Sequence, residues 1–339
     1  MKILSLFSGI GAFERAIENK GIEHEIINYC EKDKYASYSY SNLFDISEDK
    51  NLWDVKLVDG SKFKDIDLIT YGFPCTDISL AGNCKGIIKG ETKSGLLFEA
   101  LRIIEEAKPK VAIAENVGNL ISKMFINDFD NLINELDRLG YNSYWKVLSG
   151  IKYGSPQSRE RVFVVSIRKD IDNGIFEFKK GNDTLVPLQS VTQTSVDEKY
   201  YCKDSDYIKK FLNKVNKKIC DFKKPSKFGL IRVGNLEKPT GRDMNKRVFS
   251  ELGASPTLVT GADSIPRIVQ CRVRRLTPLE CWRLVGFGDK DYWKVRNALE
   301  EKFYKGKDRT DTQMYKMAGN SIVIKVAESI IESLKDILY

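Results

Sequence analysis

LFSGIGAFE, residues 6–14, leaves an apolar strand and enters an amphipathic helix. Glycines at 9 and 11 let the backbone of this turn come close to a ligand. A dinucleotide-binding turn wants a third glycine three residues after Gly11, where Phe13-Glu14 stands without one, so the stretch points to a nucleoside cofactor other than NAD. Glu31 closes the next strand about 20 residues on, where an acid accepts hydrogen bonds from ribose hydroxyls. Asp59, after the following element, is a candidate for an adenine amino group. Either acid serves equally well as a turn or cap carboxylate.

Outward from this turn, strand-like runs at residues 2–7, 24–31, 67–71, 111–115, 143–148 and 161–167 alternate with helical patterns. The clearest helices are 94–107, with Leu97, Leu101 and Ile104 on one face, and 128–139, ended by Gly140. Such alternation predicts an α/β fold with a mainly parallel sheet covered on both faces. After Lys180 the chain becomes polar and punctuated by Gly and Pro, with one basic amphipathic helix expected at 205–219. That region reads as a second, smaller domain. Helical periodicity returns at 278–285 and at 319–338, where Ile322, Val326 and Ile330 form a stripe.

The net charge of +8 is unevenly spread. Residues 179–275 hold 21 Lys and Arg against 10 Asp and Glu, whereas the rest of the chain is slightly acidic. A concentrated positive region suits a module that lies against phosphates. Seven cysteines, an odd and scattered set without CxxC spacing, argue against a disulfide framework or a metal site. With no basic leader and no apolar run near the roughly 20 residues that span a bilayer, a cytoplasmic monomer without membrane contact is expected.

GFPCTDIS, residues 72–79, follows the apolar strand IDLIT, which puts Cys75 in a loop beyond a strand's C-terminal end. Open parallel sheets carry their active sites there. Pro74 restrains the chain beside the thiol. IAENV, residues 113–117, ends the next strand with an acid, Glu115, at the same edge. In GSPQSRERVFV, residues 154–164, Gln157, Arg159 and Arg161 alternate and are expected on one side of an extended segment. Two aligned guanidiniums suit a phosphate and a base carbonyl.

These stretches, with RRLTPLECWRLVGF at 274–287 and AGNSI at 318–322, resemble in order the motifs of the bacterial and phage DNA cytosine-5 methyltransferase family. The likeness spans the chain except about 90 residues, where that family keeps a variable target-recognition domain. The resemblance implies a Rossmann-like domain that uses S-adenosylmethionine (SAM), at 1–179 and 271–339, and a DNA-binding domain at 180–270. It implies Cys75 as nucleophile, with Glu115, Arg159 and Arg161 also catalytic. Phe7, Gly9, Gly11, Glu31, Asp59, Pro74, Leu96, Asn320 and Ser321 would form the cofactor site. Gln157, Thr257 and Leu258 would contact duplex DNA, and the partnership with a cognate restriction endonuclease stays open. Two departures stand out: Thr76 replaces the usual Gln after the nucleophile, and Lys32 follows Glu31 where an aromatic residue is common.

Overall fold

The computed structural model describes residues 1–79, 84–203, 205–216, 225–237, 243–260, 264–270 and 272–338. Two compact units are distinguished: Met1–Leu148 with Glu160–Lys180 and Val326–Tyr339, and Ser149–Arg159 with Gly181–Lys325.

The first unit is built on strands β1 (Lys2–Leu6), β2 (Glu25–Cys30), β3 (Leu68–Tyr71), β4 (Val111–Val117), β5 (Tyr141–Ser149) and, after the short β6 (Gln157–Ser158) of the second unit, β7 (Glu160–Arg168). Their order is β2-β1-β3-β4-β7-β5. The pairs β1·β2, β1·β3 and β3·β4 are parallel, and β7 runs antiparallel to β4. All four β3 residues are buried, as a central strand covered on both faces requires. Helices α1 (Ala12–Asn19), α2 (Lys34–Leu43), α3 (Leu97–Ala107) and α4 (Ile126–Arg138) alternate with the strands. The apolar face of α3, with Leu97, Leu101 and Ile104, packs into one core with Leu4, Leu6, Ile69 and Ala112.

In the second unit, β8 (Arg232–Asn235), β9 (Arg247–Ser250), β11 (Arg267–Val269) and β12 (Val273–Arg275) form a four-stranded sheet, while β10 (Ser255–Pro256) pairs with β6. Helix α5 (Asp206–Asn216) covers a small core of Ile208, Phe211, Val215, Leu236, Val248 and Val273. Further on come α6 (Pro278–Val285), α7 (Asp289–Tyr304) and α8 (Asp311–Asn320), whereas α9 (Ile324–Ser333), from Val326 on, and α10 (Lys335–Leu338) belong to the first unit. Thr277 starts α6 with a capping box: its hydroxyl accepts from Glu280 N while the Glu280 carboxylate accepts from Thr277 N.

One expectation needs correction. The single C-terminal helix at 319–338 is broken, because Ser321 is extended (φ −70°, ψ 157°) and separates α8 from α9. Residues 278–325 fall in the second compact unit. The basic helix ends within the described residues at Asn216, and its expected last residues, 217–219, lie outside them.

Candidate active site

The turn after β1 is held in a left-handed backbone at Phe7 (φ 54°), Gly9 (φ 56°) and Gly11 (φ 74°). A bulky side chain in this region is strained, and such strain concentrates at functional sites. The two glycines differ in purpose. A side chain at Gly11 would collide with Phe44 and Tyr40, so that glycine permits packing. At Gly9 an added Cβ would meet nothing within 4 Å, which leaves open space for a ligand. Gly9 N donates to Glu31 Oε2 at 2.9 Å, and Asp33 N donates to Glu31 Oε1 at 2.7 Å. The carboxylate is thus oriented at the C-terminal end of β2, an arrangement that fits a ribose diol. Phe7 and Leu96 pack, half-buried, against the main core.

Asp59 behaves as a cap. It is exposed, accepts from Ser61 N and Ser61 Oγ, and has its carboxyl lowered by the Ser61 hydroxyl. The next residue, Gly60, donates to Glu106 Oε2 of α3. The acid beside the end of β2 is instead Asp54, which pairs with Lys32 at 2.9 Å. The Lys32 ammonium holds the Asp54 carboxyl below its usual range. Tyr29 bridges Asn51 in parallel, which brings residues 51–54 alongside 29–32.

Cys75 is half-buried in the loop after β3. This loop is pinned from several directions. Ser94 Oγ donates to Pro74 O at 2.7 Å, Asn116 Nδ2 to Phe73 O at 3.1 Å, and Asn119 Nδ2 to Ile78 O at 2.6 Å. Buried Asp77 accepts from Ser94 N at 3.0 Å. Cys75 O accepts from Ile78 N and Ser79 N, so a tight turn follows the thiol. Glu115, near the end of β4, lies against the start of the same loop, with Oε2 3.6 Å from where a Gly72 Cβ would stand. Arg161 Nε approaches Glu115 Oε1 at 2.9 Å, with both side chains largely shielded from solvent. A cysteine, a carboxylate and a guanidinium are thereby carried at or beside one edge of the sheet. Thiol addition to an electron-poor ring, with a carboxylate and a guanidinium gripping its heteroatoms, is within reach of such a set.

Gln157, Arg159 and Arg161 do not behave as one row. Arg159 N donates to Gln157 O, a tight bend that interrupts the alternation between β6 and β7. Arg159 is only 4% exposed, and its guanidinium donates to Leu258 O at 3.1 Å and Gly319 O at 3.0 Å. Gln157 is fully buried at 0% exposure, so its side chain is not presented to a duplex in this structure. Leu258 is buried too, and Thr257 Oγ1 donates to Ser158 O at 2.6 Å. The Thr-Leu pair ties residues 257–258 to 158–159. Gly319 fits closely under Val259, where any side chain would strike backbone. Asn320 ends α8 exposed, and Ser321 caps it.

Three comparisons bear on this site. The family model for C-5 cytosine-specific DNA methylases matches residues 1–336. The chain is 29% identical to the orphan methyltransferase M.SPBetaI of Bacillus phage SPbeta, over 98% of this chain and 97% of that one. It is 30% identical to the type II methyltransferase M.HhaI of Haemophilus parahaemolyticus, over 97% and 93%. Its fold is similar to that of the S. pombe Dnmt2 methyltransferase, with a TM-score of 0.66 at 17% identity over 99% of both chains. Among the described residues no helix is long and apolar enough to cross a membrane. The cysteine loop, the acid at the end of the adjoining strand and a family match over nearly the whole length lead to one conclusion: this chain belongs to the C-5 cytosine-specific DNA methylase family.

Proposed function

We propose that this DNA cytosine-5 methyltransferase acts on a cytosine flipped out of a short, specific duplex site, through a transient bond between Cys75 and carbon 6. Carbon 5 of cytosine is a poor nucleophile because the ring is aromatic and electron-deficient. Addition of the Cys75 thiolate at carbon 6 makes carbon 5 enamine-like. Glu115 would hydrogen-bond N3 and the exocyclic amine, offsetting charge that builds in the ring, and Arg161 would hold O2. Loss of the carbon 5 proton and departure of the cysteine restore aromaticity. The observation that carries this reading is the Glu115–Arg161 pair, which lies against the pinned loop that bears Cys75. Flipping the base costs a few kcal/mol, which contacts from the basic region at 180–270 would offset.

SAM, when bound, supplies an electrophilic methyl group. Phe7, Gly9 and Glu31 would hold its nucleoside, with Asp54 in place of Asp59 as acceptor for the adenine amino group. Pro74 and Leu96 would flank it, and Asn320 and Ser321 are assigned to the cofactor by the family resemblance alone. Gly11 and Arg159 act as positioning residues, the first through helix packing and the second by tying 258 to 319. Bisulfite sequencing of DNA from cells that express the chain tests the reading. It predicts protection of cytosines within one short motif, and uniform conversion would contradict it.

A further inference from the structure

We propose that Trp53 supplies an aromatic wall of the base-binding part of the cofactor site, on the side of Glu31 away from Phe7. The inference rests on the cofactor reading above and adds a residue to it. Leu6 pairs with Cys30, and Tyr29 bridges Asn51, both in parallel register. Continuing each register places Phe7, Glu31 and Trp53 in a row across three adjacent chain segments, at the sheet edge where α/β folds take ligands. Neighbouring segments lie about 4.8 Å apart, so Phe7 and Trp53 flank Glu31 with roughly 10 Å between their backbones. A flat heterocycle fits between two side chains that start that far apart.

Trp53 is also prepared in an unusual way. It is one of the non-glycine residues with a left-handed backbone (φ 57°), as is Phe7 (φ 54°). That conformation disfavours a bulky side chain, so it persists only where surrounding contacts impose it. The contacts come from Asn51, which is buried. Its Oδ1 accepts from Glu31 N at 3.0 Å and from Trp53 N at 2.9 Å, while its Nδ2 donates to Glu31 O at 2.9 Å and to Ser37 Oγ at 2.8 Å. Cys30 Sγ donates to Trp53 O at 3.6 Å. One amide thus orders the ribose acid and the tryptophan together. A ring needed only for packing would be buried, yet Trp53 is 45% exposed. The residue after Glu31 cannot provide an aromatic surface, because it is Lys32, whose ammonium reaches Asp54.

The test uses the full chain and S-adenosylhomocysteine as probe, followed by calorimetry and tryptophan fluorescence. Trp53→Gly removes the ring and suits the left-handed backbone, so it should melt no lower than the unaltered protein. Its dissociation constant should rise about tenfold, as expected for loss of one base-stacking ring. Trp53→Phe should bind within about threefold of the unaltered protein. Probe binding should quench tryptophan emission in the unaltered protein and in Trp145→Phe, which removes the exposed tryptophan of β5, but in neither Trp53 variant. Unchanged affinity in Trp53→Gly, or a quench that survives in it, would overturn the proposal while leaving the cofactor reading intact. Failure of the unaltered protein to bind the probe would overturn both.

Discussion

Arg161 Nε stands 2.9 Å from Glu115 Oε1 across the antiparallel β4·β7 pair, in which Glu115 faces Phe163 and Val117 faces Arg161. The two side chains are diagonal neighbours on one face of the sheet, so each fixes the other's direction before any base arrives. Glu115→Gln should therefore lower turnover by about 10²- to 10⁴-fold while SAM affinity, measured by calorimetry, stays near normal. Arg161→Ala should fall in the same range, and the double variant should lose little more than the worse single one, because the pair acts as a unit. Equal losses of cofactor affinity and turnover in Glu115→Gln would count against contact with the base.

Glu31→Ala should show the opposite pattern. It removes the acceptor for Gly9 N and Asp33 N as well as the proposed ribose contact, so SAM binding should weaken about ten- to hundredfold, with turnover at saturating cofactor largely kept. A normal cofactor affinity in this variant would remove Glu31 from the pocket.

Glu14, in the same motif, is 1% exposed, and burial raises its carboxyl above the usual range. A raised acid contributes its full stability while protonated in both states, and that contribution is lost as pH rises through the folded-state value. Glu14→Gln should consequently raise the Tm relative to the parent at pH 8, and the gain should shrink towards pH 4. A gain independent of pH would show that folding does not raise the Glu14 carboxyl.

Much of this was legible in the chain. The alternation of short apolar runs and amphipathic stretches yielded the strands and most helices of the parallel sheet, because buried central strands leave little freedom in composition. Helices α2, α7 and most of α8 are not singled out by periodicity: α2 is written KYASYSYSNL, whose small polar and aromatic residues carry a weak helical stripe, and α7 carries a high load of charge. Asp54 has no spacing signal, because spacing cannot report a single bridge such as Tyr29·Asn51. Arg159 and Arg161 seemed aligned because alternation assumes an unbroken strand, and one hydrogen bond, Arg159 N to Gln157 O, breaks it. Such bends depend on pairing between residues distant in sequence.

The basic region invites a measurement of salt dependence. On α5, Lys209, Lys210 and Lys214 are exposed while Ile208, Phe211 and Val215 are buried beneath them. If these lysines lie along phosphates, duplex affinity should fall steeply with added salt, and reversing all three charges should reduce the logarithmic slope by about 2 to 3. An unchanged slope would make this helix a solvated face that only covers its small core.

The covalent step is the centre of the account, and a fluorinated substrate tests it most directly. A duplex whose target cytosine carries fluorine at carbon 5 should be methylated once and then be unable to lose the fluorine, leaving the enzyme bonded to carbon 6. With that duplex and SAM, a protein–DNA band should survive denaturing electrophoresis, and peptide mapping should place the bond on the peptide that contains Cys75. Cys75→Ser should abolish the band, whereas Cys84→Ser, at an exposed thiol, and Cys281→Ser, at a buried thiol of α6, should retain it. A stable adduct in Cys75→Ser, or methyl groups found on the exocyclic nitrogen of cytosine, would contradict the account.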